Sequence, residues 1–406
     1  MQDSNIKELD NGQSIDHVIF INYGLFNSNS GGHIAGFANE LVKLGIKITL
    51  IGNGDPESLS DFGISEINTF TYKCIEDDIP DNLLTILRSP RSIIHAWTPR
   101  ECVHQLTKKL VEKSGCRYVV HLEDNEEIIT SSQTGLSWAH LETFSDIELD
   151  KLIPKHLSIP RSYQQFLRNS CAVTIITDSL KSFVPCGVQY HVLEPGVDTN
   201  IYRQDLTTEH RNELRQELYI KPSTRVIVYH GNMHSANKRE VFSLYTAVLI
   251  LKRRGFDVIL IRAGKDFCDG FDVSMEYLTK KSVINLGYLS RDDLIRTLKI
   301  SDVFVQPGSV DEFNIFRLPS KIPEFLSLGR PVIVPRTNIG LKLKDGEEAI
   351  MLDRGDGVEI ADKIQLIIQD EELELRLGNG ARKYAKNKLS WSCNASSLVK
   401  FYNTTN

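Results

Sequence analysis

Short apolar runs alternate with helix-periodic segments along this chain, and the alternation restarts after a polar stretch near its middle. Residues 17–22 form an apolar run that leads into a polar, glycine-bearing loop. Ile34, Phe37, Leu41 and Leu44 then recur at helical spacing, with Gly45 as the stop. Residues 47–51, 92–97, 117–122 and 172–177 are further strand candidates. Residues 195–221 are polar and charged, hold no strand-like run and end in Lys221-Pro222-Ser223. Beyond them strands are expected at 225–229, 257–262, 283–286, 302–306 and 331–335. Helices are expected at 241–253, 291–299 and 319–328, and residues 357–402 read mostly as helix. Such alternation predicts parallel sheets covered by helices on both faces.

The fold class read from this pattern is α/β, with two Rossmann-like domains. The expected division is 1–205 for the first domain, 206–385 for the second, and 386–406 for a C-terminal helix that returns to the first. A chain of 406 residues suits two domains. Open sheets of this class bind ligands beyond the carboxyl ends of their strands, so both domains can present loops to a central cleft.

Composition narrows the function classes. Lys plus Arg is 47 and Asp plus Glu is 53, a net charge of −6, which argues against a general nucleic-acid binder. No apolar run reaches the roughly 18 residues of a membrane span. Residues 1–16 are polar and acidic without the apolar core of a signal peptide, so a cytoplasmic location is expected. The seven cysteines are scattered and form no CxxC pair, which suggests neither a zinc knuckle nor a disulfide framework.

Four segments carry candidate chemistry. In Asn27-Ser28-Asn29-Ser30-Gly31-Gly32-His33, glycines between a strand and a helix let backbone N–H groups approach an anion. A tight turn explains Gly31 and Gly32 equally well. The dinucleotide fingerprint GxGxxG is absent. In His121-Leu122-Glu123-Asp124-Asn125-Glu126-Glu127, His121 and Glu123 at a strand's carboxyl end can meet sugar hydroxyls, a metal or a proton. Glu126 and Glu127 read as a solvated loop. No second histidine stands at metal-ligand spacing.

The third segment, Tyr229 to Arg239, offers Gly231, Asn232, Asn237 and Lys238 as a diphosphate cradle, or simply a helix capped by Asn237. The fourth runs from Asn314 to Val332. Arg317, Ser320 and Lys321 sit at a helix start suited to a phosphate, and Glu324 follows one turn on, where a carboxylate can accept two hydrogen bonds from a ribose diol.

Taken in order, these segments resemble retaining glycosyltransferases of the GT-B fold, specifically family 4 (group 1). Ser30-Gly31-Gly32-His33 is similar to the family's N-terminal glycine loop, and Glu194-Pro195-Gly196-Val197-Asp198 to its Pro-Gly-Val-Asp signature. Leu286-Gly287-Tyr288, Asp292-Asp293-Leu294 and Ser301 to Val305 resemble the approach to the donor site. Glu324 to Val332 resembles the Glu-to-Gly-x-Pro-Val unit, and Trp391 the aromatic of the final helix. The chain departs from the pattern at three places. The family's first glutamate falls on Phe316, its arginine after the second domain's first strand falls on Asn232, and the paired lysine falls on Asn237 or Lys238.

The resemblance implies a metal-independent hexosyltransferase with no required cofactor, using a nucleotide-diphosphate-sugar donor and retaining the anomeric configuration. Glu324 would hold the ribose, and Lys238, Arg317, Ser320 and Lys321 the diphosphate. Gly31, Gly32 and His33 would approach the phosphates from the opposite wall, and His121 the transferred sugar. A glycan or lipid-linked acceptor is implied, as in polysaccharide biosynthesis. A lipid-linked one would bring the protein to the inner membrane surface, where Lys108, Lys109 and Lys113 are candidate contacts, although a solvated helix face accounts for them too. A nucleotide-sugar 2-epimerase of the same fold and a non-catalytic nucleotide-sugar-binding protein are the alternatives.

Overall fold

The computed structural model describes residues 14–64, 67–203, 207–268 and 280–405. Their contacts divide the chain into two compact units. The first takes the chain up to Ile176, Leu180–Leu193 and the residues from Asn394 on; the second takes Thr177–Ser179 and Glu194–Cys393. The boundary expected at 205/206 lies outside the described residues.

The first unit is built on a seven-stranded sheet in the order β3-β2-β1-β4-β5-β6-β7. Its strands are β1 (His17–Leu25), β2 (Lys47–Asn53), β3 (Asn68–Thr71), β4 (Ser92–Trp97), β5 (Tyr118–Leu122), β6 (Ala172–Ile175) and β7 (Tyr190–Val192). Every neighbouring pair is parallel. Parallel strands must be joined by crossovers that cover the sheet, so the central strands are buried on both faces. Val18, Ile19, Phe20 and Ile21 of β1 have no exposure, and all six residues of β4 are buried. The helix Asn29–Lys43 starts at Ser28, whose hydroxyl accepts from the Gly31 N–H at 3.1 Å, and Gly45 follows its end at φ +81°.

The second unit repeats the plan with six parallel strands in the order β10-β9-β8-β11-β12-β13. They are β8 (Arg225–His230), β9 (Val258–Ala263), β10 (Val283–Gly287), β11 (Val303–Val305), β12 (Val332–Pro335) and β13 (Ile350–Leu352). The helices Lys238–Arg253 and Gly357–Ile368 pack together through Val241, Leu244, Val248, Ile360 and Ile364. Residues 195–221, read as a linker without strands, contain the helices Thr199–Arg203 and Thr208–Glu217. The second is clamped by Asp302, whose buried carboxylate takes Arg211 and Arg215 at 2.7 Å each and also the Val226 N–H at 2.7 Å.

The Glu194-to-Asp198 motif is a structural fastening. Val197 N–H donates to the Leu389 carbonyl at 2.7 Å, and Glu194 pairs with Lys342 at 2.7 Å. Gly196 is required because a Cβ there would lie 2.6 Å from the Trp391 ring and backbone nitrogen. The helix Trp391–Thr404 begins in the second unit and continues among the residues of the first. There the Tyr402 hydroxyl meets His95 Nδ1 at 2.6 Å, and Phe401 stacks on His191.

Among the helix 101–114 lysines, Lys109 donates to the carbonyls of Ile75 and Glu76, and Lys108 stands 4.0 Å from Glu112. No described helix is long and apolar enough to cross a membrane. All seven cysteines are free.

Because the atoms met by a new Cβ at position 196 include backbone, Gly196→Ala is expected to destabilise the protein by about 1–3 kcal/mol. A urea titration followed by tryptophan fluorescence reads the shift in midpoint. An unchanged midpoint would show that the Trp391 contact is not rigid.

Candidate functional site

In both sheets the strand order reverses direction beside the first strand of the unit, between β1 and β4 and between β8 and β11. Loops diverge at such a point and leave a crevice past the carboxyl ends. Each unit carries one cluster of polar side chains there.

In the second unit the chain leaves β8 over Gly231 at φ +141°, and leaves β9 over Gly264 at φ +138°. A side chain at Gly264 would strike the Gly231 carbonyl at 2.2 Å, and one at Gly231 would lie 2.9 Å from Lys321 Nζ. The two glycines therefore let the β8 and β9 loops touch, and they leave room above Gly231 for the lysine.

Asn232 and Asn237 tie the same loop. Asn232 Oδ1 accepts from Lys265 N–H at 2.9 Å, while Asn237 donates to the Asn232 carbonyl at 3.0 Å and accepts from His234 N–H at 2.7 Å. Asn237 is the residue before the helix Lys238–Arg253, but its side chain bonds the loop and does not cap the helix. That corrects the reading of Asn237 as a helix cap. Lys238 is half-buried at the helix start and forms no ion pair among the described residues.

The segment after β11 brings the cations. Arg317 lies 4.3 Å over the Phe313 ring and 3.4 Å from the Glu240 carboxylate. Asn314 donates to the other Glu240 oxygen at 2.7 Å. Asn338, in the left-handed region at φ +48°, donates to the carbonyls of Asn314 and Arg317 and so fixes the loop. Ser320 opens the short helix Lys321–Ser327 with helical backbone angles and no side-chain cap bond.

Lys321 Nζ sits 5.1 Å from the centre of the Tyr229 ring, and no carboxylate is within ion-pair distance of it among the described residues. Burial, and then the charge of Arg317, push its pKa down from 10.5 to about 8, against the opposing pull of Glu240 and Glu324. Glu240 is pushed up by burial. It is a half-buried carboxylate of this cluster and comes from a different segment than the motif led one to expect. Phe316 stands eight residues before Glu324, where the resemblance calls for a glutamate.

Glu324 is already engaged. The Tyr202 hydroxyl donates to Oε1 at 2.8 Å, and His230 Nε2 lies 2.9 Å from Oε2. Burial would raise its carboxyl, but His230 and Tyr202 hold it below the usual range. About a quarter of the side chain, 26%, remains exposed.

In the first unit, Glu123 follows β5 and gathers residues of the glycine loop. Its carboxylate accepts from Ser30 Oγ and stands 2.8 Å from His33 Nδ1. Burial opposes ionisation, yet His33, His121 and Ser30 hold the Glu123 carboxyl at about 2. Gly31 is demanded by packing, since its Cβ would lie 2.0 Å from the Phe26 carbonyl, and Gly32 faces the Phe62 ring.

His121 is fully buried. Its ring centre lies 4.0 Å from that of Trp97, Nδ1 meets Thr174 Oγ1 at 2.8 Å, and burial lowers its pKa to about 3. Glu126, expected in solvent, is 1% exposed and pairs with Arg100 at 3.3 Å because a helix begins at that point and turns it inward. No group of three metal-ligating side chains occurs among the described residues.

The family model for Glycosyl transferases group 1 matches residues 224–370. The D-inositol 3-phosphate glycosyltransferase of Corynebacterium efficiens is 22% identical over 220 residues, which are 52% of this chain and 50% of the relative. The capsular polysaccharide biosynthesis glycosyltransferase CapM of Staphylococcus aureus is 26% identical over 183 residues, 44% and 46% of the two chains. The chain thus spans about half the length of the curated relatives it matches.

The crystal structure of Anabaena HepE in complex with UDP is similar to the chain with a TM-score of 0.70 at 15% identity, over 96% of this chain and 100% of that one. The HepE complex with UDP-glucose gives 0.69 at 14%, over 96% and 99%. The fold is therefore GT-B, and the chain resembles family-4 glycosyltransferases.

Lys321 binds its proton less tightly in the folded protein than in the unfolded chain, so its charge costs stability below about pH 8. That cost fades as pH rises from there to 10.5. Lys321→Met is expected to unfold at the same or a higher urea concentration than wild type at pH 7, and its advantage to close by pH 10. A markedly weaker variant at pH 7 would make Lys321 a structural tie.

Proposed function

We propose that the protein transfers a hexosyl group from a nucleotide-diphosphate-sugar to an acceptor hydroxyl. The observation that carries this reading is Lys321, a half-buried ammonium with no carboxylate at ion-pair distance among the described residues, placed over the bare backbone of Gly231 and beside Arg317. A diphosphate is the ligand that such a pair of cations and an uncapped helix start at Lys238 would stabilise together. UDP and UDP-glucose are the ligands of the similar HepE structures, which supports the same donor class here.

In this reading the roles divide by chemistry. Lys321, Arg317 and Lys238 offset the negative charge that grows on the leaving diphosphate, with Ser320 as a hydroxyl donor. One such donor is worth about 3–4 kcal/mol in a water-poor site. They supply that positive charge from the protein, so the transfer is proposed to be metal-independent. Asn232 and Asn237 shape the loop, and Gly231 allows the close approach. Each oxygen of Glu324 has a second lone pair, so the carboxylate can take the ribose hydroxyls while Tyr202 and His230 hold it in place. Retention of configuration and a glycan or lipid-linked acceptor come from the resemblance, and CapM supports a polysaccharide setting.

A second reading rests on one observation: Phe316 stands where the resemblance calls for the first of two glutamates. In that case the protein binds nucleotide-sugars without turning them over.

A thermal-shift screen with UDP, GDP and ADP and their glucose, N-acetylglucosamine and mannose conjugates tests the binding half. A ligand at 100 times its Kd stabilises by about 2.7 kcal/mol. One nucleotide is expected to stabilise wild type, and neither Arg317→Ala nor Lys321→Ala is expected to respond. Nucleotide release in the presence of acceptor sugars tests the transfer half, with Lys321→Ala about 100- to 1,000-fold slower. Binding without any release would favour the second reading, and no binding by any of these ligands would contradict both. Affinity is also expected to fall above pH 8, where Lys321 loses its proton.

A further inference from the structure

The first unit holds a groove that the diphosphate chemistry does not use. It is lined by the helix Glu126–Thr134, the turn after it and Phe183, all of which belong to that unit. Its volume is about 570 Å³, inside the ~300–1,000 Å³ typical of small-molecule sites, and it is open to solvent rather than enclosed.

The local sequence builds this groove. Asn125 caps the helix, its side-chain oxygen accepting from the Glu127 and Ile128 N–H groups at 3.1 and 3.2 Å. Gly135 ends the helix at φ +71° and turns the chain. Ser137 then caps the short helix Trp138–Leu141. Trp138 stands perpendicular to the buried Tyr163 ring at 5.7 Å and packs on the apolar cluster around Leu141 and Leu149. The indole is thereby fixed, yet it stays half-buried where it lines the groove. Phe183, also half-buried, is the second aromatic of the lining.

The polar groups beside these rings are unspent. Asn125 uses its side-chain oxygen in the cap, which leaves its NH2 as a donor. Among the described residues, neither the half-buried Glu127 carboxylate nor the Ser131 hydroxyl has a hydrogen bond. Burial, and then the charge of Glu142, push the Glu127 carboxyl up. No lysine or arginine is among the described residues that line the groove.

These groups select a class of ligand. An anion is disfavoured, because Glu127 is met by no cation in the lining. A lipid chain would cover the Glu127 carboxylate and the Asn125 amide without offering either a partner, which is costly. A pyranose suits both halves. Its C–H faces lie against aromatic rings, and its rim of hydroxyls both donates and accepts. A carboxylate can accept from two neighbouring hydroxyls while an amide N–H donates to a third. The open side admits a chain longer than one ring.

We propose that this groove binds a neutral oligosaccharide, with sugar rings against Trp138 and Phe183 and their hydroxyls held by Glu127 and Asn125. The site goes beyond the donor reading and does not rest on it, since it is complete within the first unit.

The test titrates the full-length protein with maltopentaose, cellopentaose and mannopentaose and follows tryptophan emission and saturation-transfer NMR. At least one of them is expected to bind and to change an emission that Trp138→Phe alters. Trp138→Ala is expected to weaken that binding at least about 10-fold. Ser131→Phe, which fills the groove without removing Trp138, should weaken it as well, and it decides if Trp138→Ala does not fold. Binding by none of the three, or Ser131→Phe binding as wild type does, would overturn the site. A heparin pentasaccharide is not expected to compete, and competition by it would overturn the assignment to a neutral ligand. Lys321→Ala, which is expected to lose the nucleotide response, should keep the oligosaccharide response, so the failure of one site is read apart from the failure of the other.

Discussion

A parallel sheet covered on both faces has almost nowhere to put a polar side chain. Its central strands are buried, as β4 is along its whole length and β1 is from His17 to Asn22, and the few polar residues there, such as His95, are held by hydrogen bonds. Chemistry is left to the loops past the carboxyl ends, and there to the point where the strand order turns. Both units obey this constraint. The Glu123 cluster stands beyond β1, β4 and β5, and the Lys321 cluster beyond β8 and β11.

Within the second unit the cluster is electrostatically incomplete. Arg317 has Glu240, and Glu324 has His230 and Tyr202, while Lys321 has no carboxylate at ion-pair distance among the described residues and is kept next to another cation. Its half-buried charge is disfavoured by the loss of water and by Arg317. Holding it is useful when an anion arrives, because the cost is then already met. The bare backbone at Gly231 and Gly264 is the steric counterpart of the same arrangement.

The long central strands were legible in the sequence because their apolar runs exceed anything a loop would carry. β3, β7 and β13 were not, because three or four residues at a sheet edge leave no period to read. The fourth motif pointed to one place in the second unit, where Arg317 and Lys321 stand together with Glu324 one turn on. Glu240 escaped notice because a carboxylate was sought at Phe316, within the same segment, and the fold supplies one from the helix after β8. Asn232 and Asn237 look like ligand contacts in a linear motif, but their side chains are spent on the loop itself. Glu126 differs from expectation because hydropathy does not tell which polar residues a buried hydrogen bond will hold inside.

The central claim is that Lys321 waits for a diphosphate, and proton linkage tests it most directly. Calorimetric titration of the nucleoside diphosphate that stabilises the protein, at pH 8.5 in buffers of different ionisation enthalpy, counts the protons exchanged on binding. The diphosphate is fully ionised at that pH, so uptake reports the protein. The account predicts net uptake of a proton in wild type and none in Lys321→Met. Binding by wild type with no proton uptake would contradict it.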